Sequence, residues 1–114
     1  MAATEKLDIS PRELKWEFEE GQQVFKVTNN TNSRFAVKVK CTDNTLYTVS
    51  PVSDFVNAGQ CITIAVVRAK GPLKKDKLVI CTKQVTEEEK DALEAFKSGQ
   101  QDTEIIEMDQ RVRT

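Results

Sequence analysis

Lysines at alternating positions are the clearest chemical feature of this sequence. In the stretch FAVKVKC, the apolar residues Phe35, Val37 and Val39 alternate with positions that include Lys38 and Lys40. A period of two is typical of a β-strand with one buried face, so both ammonium groups are expected on the opposite, exposed face. Such a face can form charge-assisted hydrogen bonds to carboxylates. Lysines also commonly cover a surface that only contacts water, and the strand alone leaves both interpretations open.

Charge is distributed unevenly along the chain, whose formal net charge is −1. Residues 34–83 hold nine basic and three acidic side chains, whereas residues 1–33 and 84–114 are both net acidic. A basic segment inside a nearly neutral protein is expected to create a local positive field. The lysines that form the cluster are Lys38, Lys40, Lys74, Lys75 and Lys77. The cluster therefore predicts either an acidic partner or a set of exposed strand faces without a ligand.

Residues that usually perform acid–base or metal chemistry are scarce. The chain has no histidine, so no Ser-His-Asp or Cys-His arrangement is available. The three cysteines, Cys41, Cys61 and Cys81, are spaced by 20 residues and form no CxxC pair. The four glycines form no phosphate-binding motif. The sequence therefore predicts a protein that is not an enzyme, with no metal site and no cofactor, whose thiols stay reduced and unpaired.

Length and composition predict a single domain that comprises residues 1–114. Apolar residues make up 39% of the chain and charged residues 31%, which is typical of a globular protein. No stretch approaches the roughly 20 apolar residues that a membrane-spanning helix needs. The N-terminal sequence MAATEKLDIS lacks the apolar core of a signal peptide. We expect a cytoplasmic protein without membrane insertion.

Short alternating or β-branched runs, separated by turn residues, predict about seven strands and an all-β, antiparallel sandwich. Pro51 interrupts one of these runs, and because proline cannot occupy a central ladder, we expect the chain to step there to the other sheet. Thr86 and the three glutamates that follow it predict one short helix near residues 86–97. The lysines of the stretch KGPLKKDK, with its proline, indicate a protected sheet edge.

Several segments together resemble the major sperm protein domain family: LDISPRELKW, VFKVTNNTNSRFAVKVKCT, YTVSP, NAG and DKLVI. The resemblance covers residues 7–83 and, more loosely, residues 84–114. It implies a seven-stranded immunoglobulin-like sandwich that performs no catalysis, with Pro11 and Pro51 as candidates for cis peptide bonds. The family includes nematode sperm proteins, which form dimers and filaments. It also includes the VAP proteins, whose basic sheet face binds acidic FFAT peptides.

The resemblance implies a peptide-binding site on two neighbouring strands. The matching residues are Lys38, Lys40, Thr42, Lys77 and Val79. By analogy with VAP proteins, the lysines would contact peptide carboxylates, and Val79 would line the pocket for a phenylalanine. Two positions depart from the VAP pattern, because Val79 replaces a methionine and Cys41 replaces a threonine. The alternation also places Cys41 on the inward face.

Three functions are compatible with these features. The first is a protein–protein interaction module that binds an acidic peptide or partner through its basic sheet face. The second is a cytoskeletal subunit of the sperm-motility type, which self-assembles into dimers or filaments. The third, nucleic-acid binding, is disfavoured because most of the seven aromatic residues fit inward positions and leave no stacking platform. We expect a free-standing domain of the sperm type that acts as a protein–protein interaction module.

Overall fold

The computed structural model describes residues 7–97, 99 and 101–110 and has a sandwich of two β-sheets. Within these residues there are nine strands and one short 3-10 helix. The strands are β1 (Asp8–Ser10), β2 (Glu13–Trp16), β3 (Gly21–Thr28), β4 (Arg34–Cys41), β5 (Tyr47–Ser50), β6 (Ser53–Val56), β7 (Cys61–Arg68), β8 (Asp76–Val85) and β9 (Asp102–Gln110). The 3-10 helix spans Glu94–Lys97, between β8 and β9.

The two sheets differ in size. Strands β1, β3, β7 and β5 form, in that order, a four-stranded sheet, and strands β2, β9, β8, β4 and β6 form a five-stranded sheet. Every pair is antiparallel except β2 with β9, which is parallel. The predicted sandwich is confirmed, but its purely antiparallel pairing is wrong at this edge. Strand β8 lies between β9 and β4, so the stretch KGPLKKDK leads into an inner strand. The prediction that this stretch protects a sheet edge is therefore wrong.

Two prolines explain why there are nine strands and not the predicted seven. Pro11 separates β1 from β2, and Pro51 separates β5 from β6. In each case the two strands belong to different sheets, which confirms the predicted sheet change at Pro51. The Ser10–Pro11 and Ser50–Pro51 peptide bonds are both cis, as the family resemblance implied. Two extended runs are thus each divided between the sheets.

The core lies between the sheets and is built by the predicted alternation. Phe25 and Ile64 contribute from the four-stranded sheet, and Leu78 and Ile80 contribute from the five-stranded sheet. Each is at most 1% exposed. Complete burial of such a side chain stabilises the fold by about 1.5–3 kcal/mol. Trp16 and Tyr47 also belong to this core and pack against each other, with 5.6 Å between their ring centroids.

The helix predicted near residues 86–97 is reduced to the 3-10 helix at its C-terminal end. Arg34 donates hydrogen bonds from its guanidinium to the carbonyl oxygens of Thr86, at 2.7 Å, and Glu89, at 2.9 Å. These carbonyls are therefore engaged by a side chain from β4, and residues 86–93 form turns instead of an α-helix. Asp91, not Thr86, caps the helical turn by accepting from the backbone amide of Leu93 at 2.9 Å.

The three thiols lie in separate environments. Cys41 is half-buried and packs against the core, whereas Cys81 is buried on the other side of the same sheet and Cys61 is exposed on β7. Cys41 faces Leu78, not Cys81, across the ladder. All three are free, and side chains on opposite sides of a sheet cannot reach disulfide geometry without backbone movement. In the described part of the chain, no helix has the length and apolar character needed to cross a membrane.

Candidate functional site: the outer face of the five-stranded sheet

Strand register brings the predicted site residues onto one surface. Across the β4–β8 ladder, Lys40 lies opposite Val79, and Lys38 lies opposite Cys81. Across the β8–β9 ladder, Val79 lies opposite Ile105. Residues that face each other in an antiparallel pair point to the same side of the sheet, and this side is the one away from the core. We call the surface around these residues the lysine face; it comprises Lys38, Lys40, Lys77, Val79 and Ile105.

The lysine face combines cations with exposed apolar surface. Lys40 and Lys77 are exposed, while Lys38 and Val79 are half-buried. Within the described ranges, none of the three ammonium groups makes an ion pair or side-chain hydrogen bond. Ile105 is 51% exposed. The face can therefore offer both charge and an apolar contact to a ligand.

Ile105 was not among the site residues that the sequence predicted. Its signal was present in the stretch TEIIEMD, where Ile106 and Met108 alternate inward and are buried. The alternation leaves Ile105 on the outer side. What sequence reasoning lacked was the pairing of β9 with β8, which places Ile105 beside Val79.

Thr42, which the sequence predicted as a peptide-binding residue, is occupied by contacts within the protein. Its hydroxyl donates to Asp76 Oδ1 at 2.9 Å and accepts from the backbone amide of Lys77 at 3.1 Å. The Thr42 amide also donates to the Lys77 carbonyl oxygen at 3.1 Å. Thr42 therefore holds the start of β8 against the end of β4 and positions Lys77. Cys41 points inward, as the alternation predicted, and burial raises the pKa of its thiol.

Lys74 has a different role from the lysines of the face. Its ammonium group lies 2.8 Å from Asp43 Oδ2 and 3.1 Å from Asp76 Oδ1. The hydrogen bond from Lys74 and, to a smaller extent, the hydrogen bond from the Thr45 side chain hold the pKa of Asp43 well below its usual range. The hydrogen bonds that Lys74 donates to Asp43 and, with a smaller effect, to Asp76 raise the pKa of the Lys74 ammonium group. The predicted five-lysine cluster is thus divided, because Lys74 is neutralised by carboxylates of its own chain.

The charge of the outer surface changes sign towards the β2 edge. Glu107 on β9 lies opposite Lys77, and Glu13 on β2 lies opposite Glu107. Lys15, also on β2, pairs with Glu13 at 3.3 Å. A surface cavity of about 300 Å³ marks this border between basic and acidic side chains. Lys38, Lys40 and Lys77 therefore lie on β4 and β8, away from the β2 edge of this mixed-charge surface.

The sequence profile of the MSP (Major sperm protein) domain matches residues 6–104 of this chain. The chain belongs to the major sperm protein domain family. Two relatives from Caenorhabditis elegans support the assignment. Sperm-specific class P protein 34 is 41% identical over 86 residues, which are 75% of this chain and 80% of that protein. Sperm-specific class P protein 32 is 33% identical over 99 residues, which are 87% of this chain and 92% of that protein.

Solved structures agree with the family assignment. WR4, an MSP family member of C. elegans, superposes with a TM-score of 0.86 at 32% identity, over 91% of this chain and 96% of that one. SSP-19, an MSP-domain protein like family member of the same species, superposes with a TM-score of 0.84 at 24% identity, over 90% and 96% of the two chains. At this lower identity, SSP-19 supports the fold alone. The predicted membership of the MSP family and its immunoglobulin-like sandwich are both confirmed.

Proposed function

We propose that this MSP-domain protein is a non-catalytic interaction module that binds an acidic, phenylalanine-containing segment on its lysine face. The observation that carries the proposal is the row formed by Lys40, Val79 and Ile105 across three neighbouring strands. Such a row places an unpaired cation next to exposed apolar surface. A ligand with alternating acidic and aromatic side chains is complementary to both parts.

The chemistry of binding follows from the two kinds of side chain. Lys38, Lys40 and Lys77 would donate charge-assisted hydrogen bonds to carboxylates of the ligand. Val79 and Ile105 would contact its phenylalanine ring, while Thr42 positions Lys77 from within the protein. Exposed ion pairs contribute little affinity individually, so the apolar contact is expected to supply most of the binding free energy and the lysines the selectivity.

A non-catalytic role in the cytoplasm is consistent with the side chains present. The chain contains no histidine, and the face offers ammonium groups and aliphatic carbons instead of a nucleophile with a neighbouring base. The unpaired cysteines suit a reducing compartment. Fractionation of the cells that make the protein tests this location, and recovery in a secreted or membrane-integrated fraction would contradict it.

Self-assembly into dimers or filaments is the second candidate function. The observation that favours it is Phe18, which is 72% exposed in the connection between β2 and β3. Exposed aromatic side chains are enriched at protein contacts. Self-assembly requires a contact surface between two copies of this chain, whereas the interaction module requires a separate ligand.

The proposal is tested by mapping a ligand onto the sheet. A synthetic acidic peptide with a central phenylalanine is titrated into isotope-labelled protein, and backbone amide resonances are followed by NMR. We expect shifts concentrated at Lys40, Val79 and Ile105, with Val24 and Val67 on the other sheet unaffected. The same peptide with alanine in place of phenylalanine is the control and should bind more weakly. Shifts absent from the lysine face would contradict the proposal.

A further inference from the structure

The sequence Thr86-Glu87-Glu88-Glu89, between β8 and the 3-10 helix, belongs to neither the hydrophobic core nor the lysine face. We propose that Thr86 is a phosphorylation site. The donor is ATP, and the enzyme class is a Ser/Thr kinase that selects acidic residues after its acceptor hydroxyl. This site lies at the other end of β4 and β8 from Lys40 and is independent of the peptide binding proposed for the lysine face.

The acidic run after Thr86 is exceptional in this chain. Glutamates occupy all three positions that follow Thr86, whereas every other serine or threonine is followed by at most one acidic residue within three positions. The run was expected to begin an α-helix, but residues 86–93 form turns, so the glutamates do not complement a helix dipole. Carboxylates in this arrangement are complementary to a kinase whose substrate cleft is basic.

The Thr86 hydroxyl is accessible and is not needed as a donor within the protein. The residue is exposed and directly follows Val85, the last residue of β8. Its hydroxyl oxygen accepts a hydrogen bond from the backbone amide of Glu88 at 3.3 Å, and among the described residues it donates none. A surface cavity of about 520 Å³, bordered by Thr86, Arg34 and Asn57, gives a phosphoryl group room. Phosphorylation can therefore replace the hydroxyl proton without removing a hydrogen bond that the fold uses.

Arg34 restricts how the backbone around Thr86 can move. Its guanidinium carbon lies 3.8 Å from the centroid of the Phe55 ring, and the same group donates to the carbonyl oxygens of Thr86 and Glu89. These bonds hold the two ends of the acidic turn together. A kinase cleft that contacts the three glutamates in turn needs their backbone extended. The bonds from Arg34 must therefore open before the phosphoryl group is transferred.

Little buried surface opposes this opening. The segment that follows the acidic turn packs on Ala36 through two other buried alanines, Ala92 and Ala95. Because alanine side chains bury little apolar area, local opening should cost much less free energy than global unfolding. Lys83 also donates to the Ala95 carbonyl oxygen at 2.6 Å, but this bond lies at the far end of the segment and can stay intact. Arg34 thus determines how often the Thr86 backbone is available to a kinase.

The transfer itself is an ordinary phosphoryl transfer. A bond forms between Thr86 Oγ1 and the γ-phosphorus of ATP, and the bond from that phosphorus to the β–γ bridging oxygen breaks. The hydroxyl proton passes to the catalytic carboxylate of the kinase, and ADP leaves. The product carries about two further negative charges at Thr86, next to the three glutamates.

Incubation of the folded full chain with Mg²⁺, ATP and a recombinant acidic-directed Ser/Thr kinase tests the site, with mass spectrometry to locate the modified residue. We expect one phosphoryl group at Thr86, and none there in Thr86→Val. The changes Glu87→Gln, Glu88→Gln and Glu89→Gln together should slow the transfer about tenfold, since each carboxylate adds a small electrostatic contribution. Thr45 is the internal control, because it is exposed and no acidic residue follows it within three positions. Modification of Thr45 in preference to Thr86, or no modification, would overturn the proposal.

The rate of transfer to Arg34→Met tests the control of access by Arg34. Loss of both hydrogen bonds to the turn should speed phosphorylation about fivefold or more. Arg12→Met is the matched control, because Arg12 is an arginine that pairs with Glu104 at 3.0 Å and should not affect the rate. A rate in Arg34→Met that is equal to or below that of the wild type would overturn this control of access.

Hydrogen exchange of the wild type measures the opening without any substitution. The backbone amide of Ala95, which donates to the Asp91 carbonyl oxygen, should exchange faster than the amide of Ile80 in the inner strand β8. Equal protection of the two amides would show that the segment does not open locally and would contradict the proposed access. Melting curves identify any variant that is not folded.

Peptide binding separates this inference from the proposed function. Arg34 lies six residues from Lys40 on β4, or roughly 20 Å at about 3.3 Å per residue, which exceeds the Debye length of about 8 Å at physiological salt. Lys40→Glu should therefore be phosphorylated like the wild type, and the phosphorylated protein should bind the acidic phenylalanine peptide like the unmodified one. Failure of phosphorylation with peptide binding intact would overturn this inference alone. Loss of peptide binding on phosphorylation would overturn the independence of the two sites.

Discussion

Lys40 and Val79 face each other across the ladder between β4 and β8. The pair places an exposed ammonium group next to a half-buried aliphatic side chain on the outer side of an inner strand. Ile105 extends this arrangement to β9. Neither the cation nor Ile105 is required by the core, which lies on the other side of the sheet. The pair therefore links the fold to the proposed binding of an acidic, aromatic segment.

The apolar part of the lysine face should contribute affinity that salt does not alter. We predict that Ile105→Thr weakens binding of the acidic phenylalanine peptide about fivefold, equivalent to about 1 kcal/mol of lost apolar contact. The loss should be the same at low and moderate salt, as measured by fluorescence titration. Val67→Thr, at an exposed position of β7, is the control and should bind like the wild type. Unchanged affinity in Ile105→Thr would remove Ile105 from the site.

Thr42 is expected to act on stability because its hydroxyl is used within the protein. Replacement by valine removes the hydrogen bond to Asp76, whose carboxylate is buried, and leaves the amide of Lys77 without that acceptor. Loss of a bond to a buried charged group costs roughly 1–3 kcal/mol. We predict that Thr42→Val lowers the free energy of unfolding by that amount in denaturant titrations.

The control for Thr42→Val is Thr63→Val on β7, where the hydroxyl is exposed and makes no hydrogen bond with the described residues. An exposed substitution of this kind should change stability by less than about 0.5 kcal/mol. Equal stability of the two variants would show that the Thr42 hydroxyl does not hold β4 and β8 together.

The ion cluster around Lys74 should make stability depend on pH on the acid side. The pKa of Asp43 is lowered in the folded protein, so its contribution to stability is present above the ordinary carboxyl pKa of about 4 and is lost as the pH falls towards the folded value. We predict that Lys74→Met is less stable than the wild type near neutral pH. The difference should narrow as the pH is lowered below about 4.

NMR titration of the Asp43 carboxyl group provides the direct readout for this prediction. In Lys74→Met the pKa of Asp43 should rise towards its ordinary range. Lys75→Met is the matched control, because the neighbouring Lys75 is exposed and makes no ion pair with the described residues. An Asp43 pKa that is the same in all three proteins would show that Lys74 does not neutralise this carboxylate.

Much of the fold could be predicted because alternation and proline act locally. The stretch from Phe35 to Cys41 has the predicted inward and outward faces, and Pro51 ends a strand where its missing N–H forbids continuation. The helix predicted near residues 86–97 is reduced to the four residues Glu94–Lys97 for a non-local reason. Arg34 is separated by 52 residues from the first carbonyl that it binds, and no window of sequence around Thr86 reveals that contact.

The positions of the charged residues in the candidate site could be predicted from the sequence, but its apolar part and its ion pairs could not. The positions of Lys38 and Lys40 on one face follow from their spacing alone. The addition of Ile105 depends on the register of β9 against β8, which pairs residues far apart in the chain. Lys74 resembled its neighbours in sequence, but Asp43 and Asp76 approach it only in the folded protein. Sequence shows which residues carry charge, and tertiary contacts decide which charges remain free.

Charge reversal at Lys40 tests the central claim most directly. The acidic phenylalanine peptide is titrated into wild type, Lys40→Glu and Lys26→Glu at low and moderate salt, with a melting curve for each protein. Lys26 is the matched control, because it is an exposed lysine on β3 of the other sheet. Exposed lysines contribute within about 0.5 kcal/mol to stability, so all three melting curves should nearly coincide.

We predict that Lys40→Glu binds the peptide more weakly than the wild type and that the difference shrinks as salt rises, while Lys26→Glu binds like the wild type. Equal binding by all three folded proteins, or no binding by any of them, would show that the lysine face is only a solvated surface.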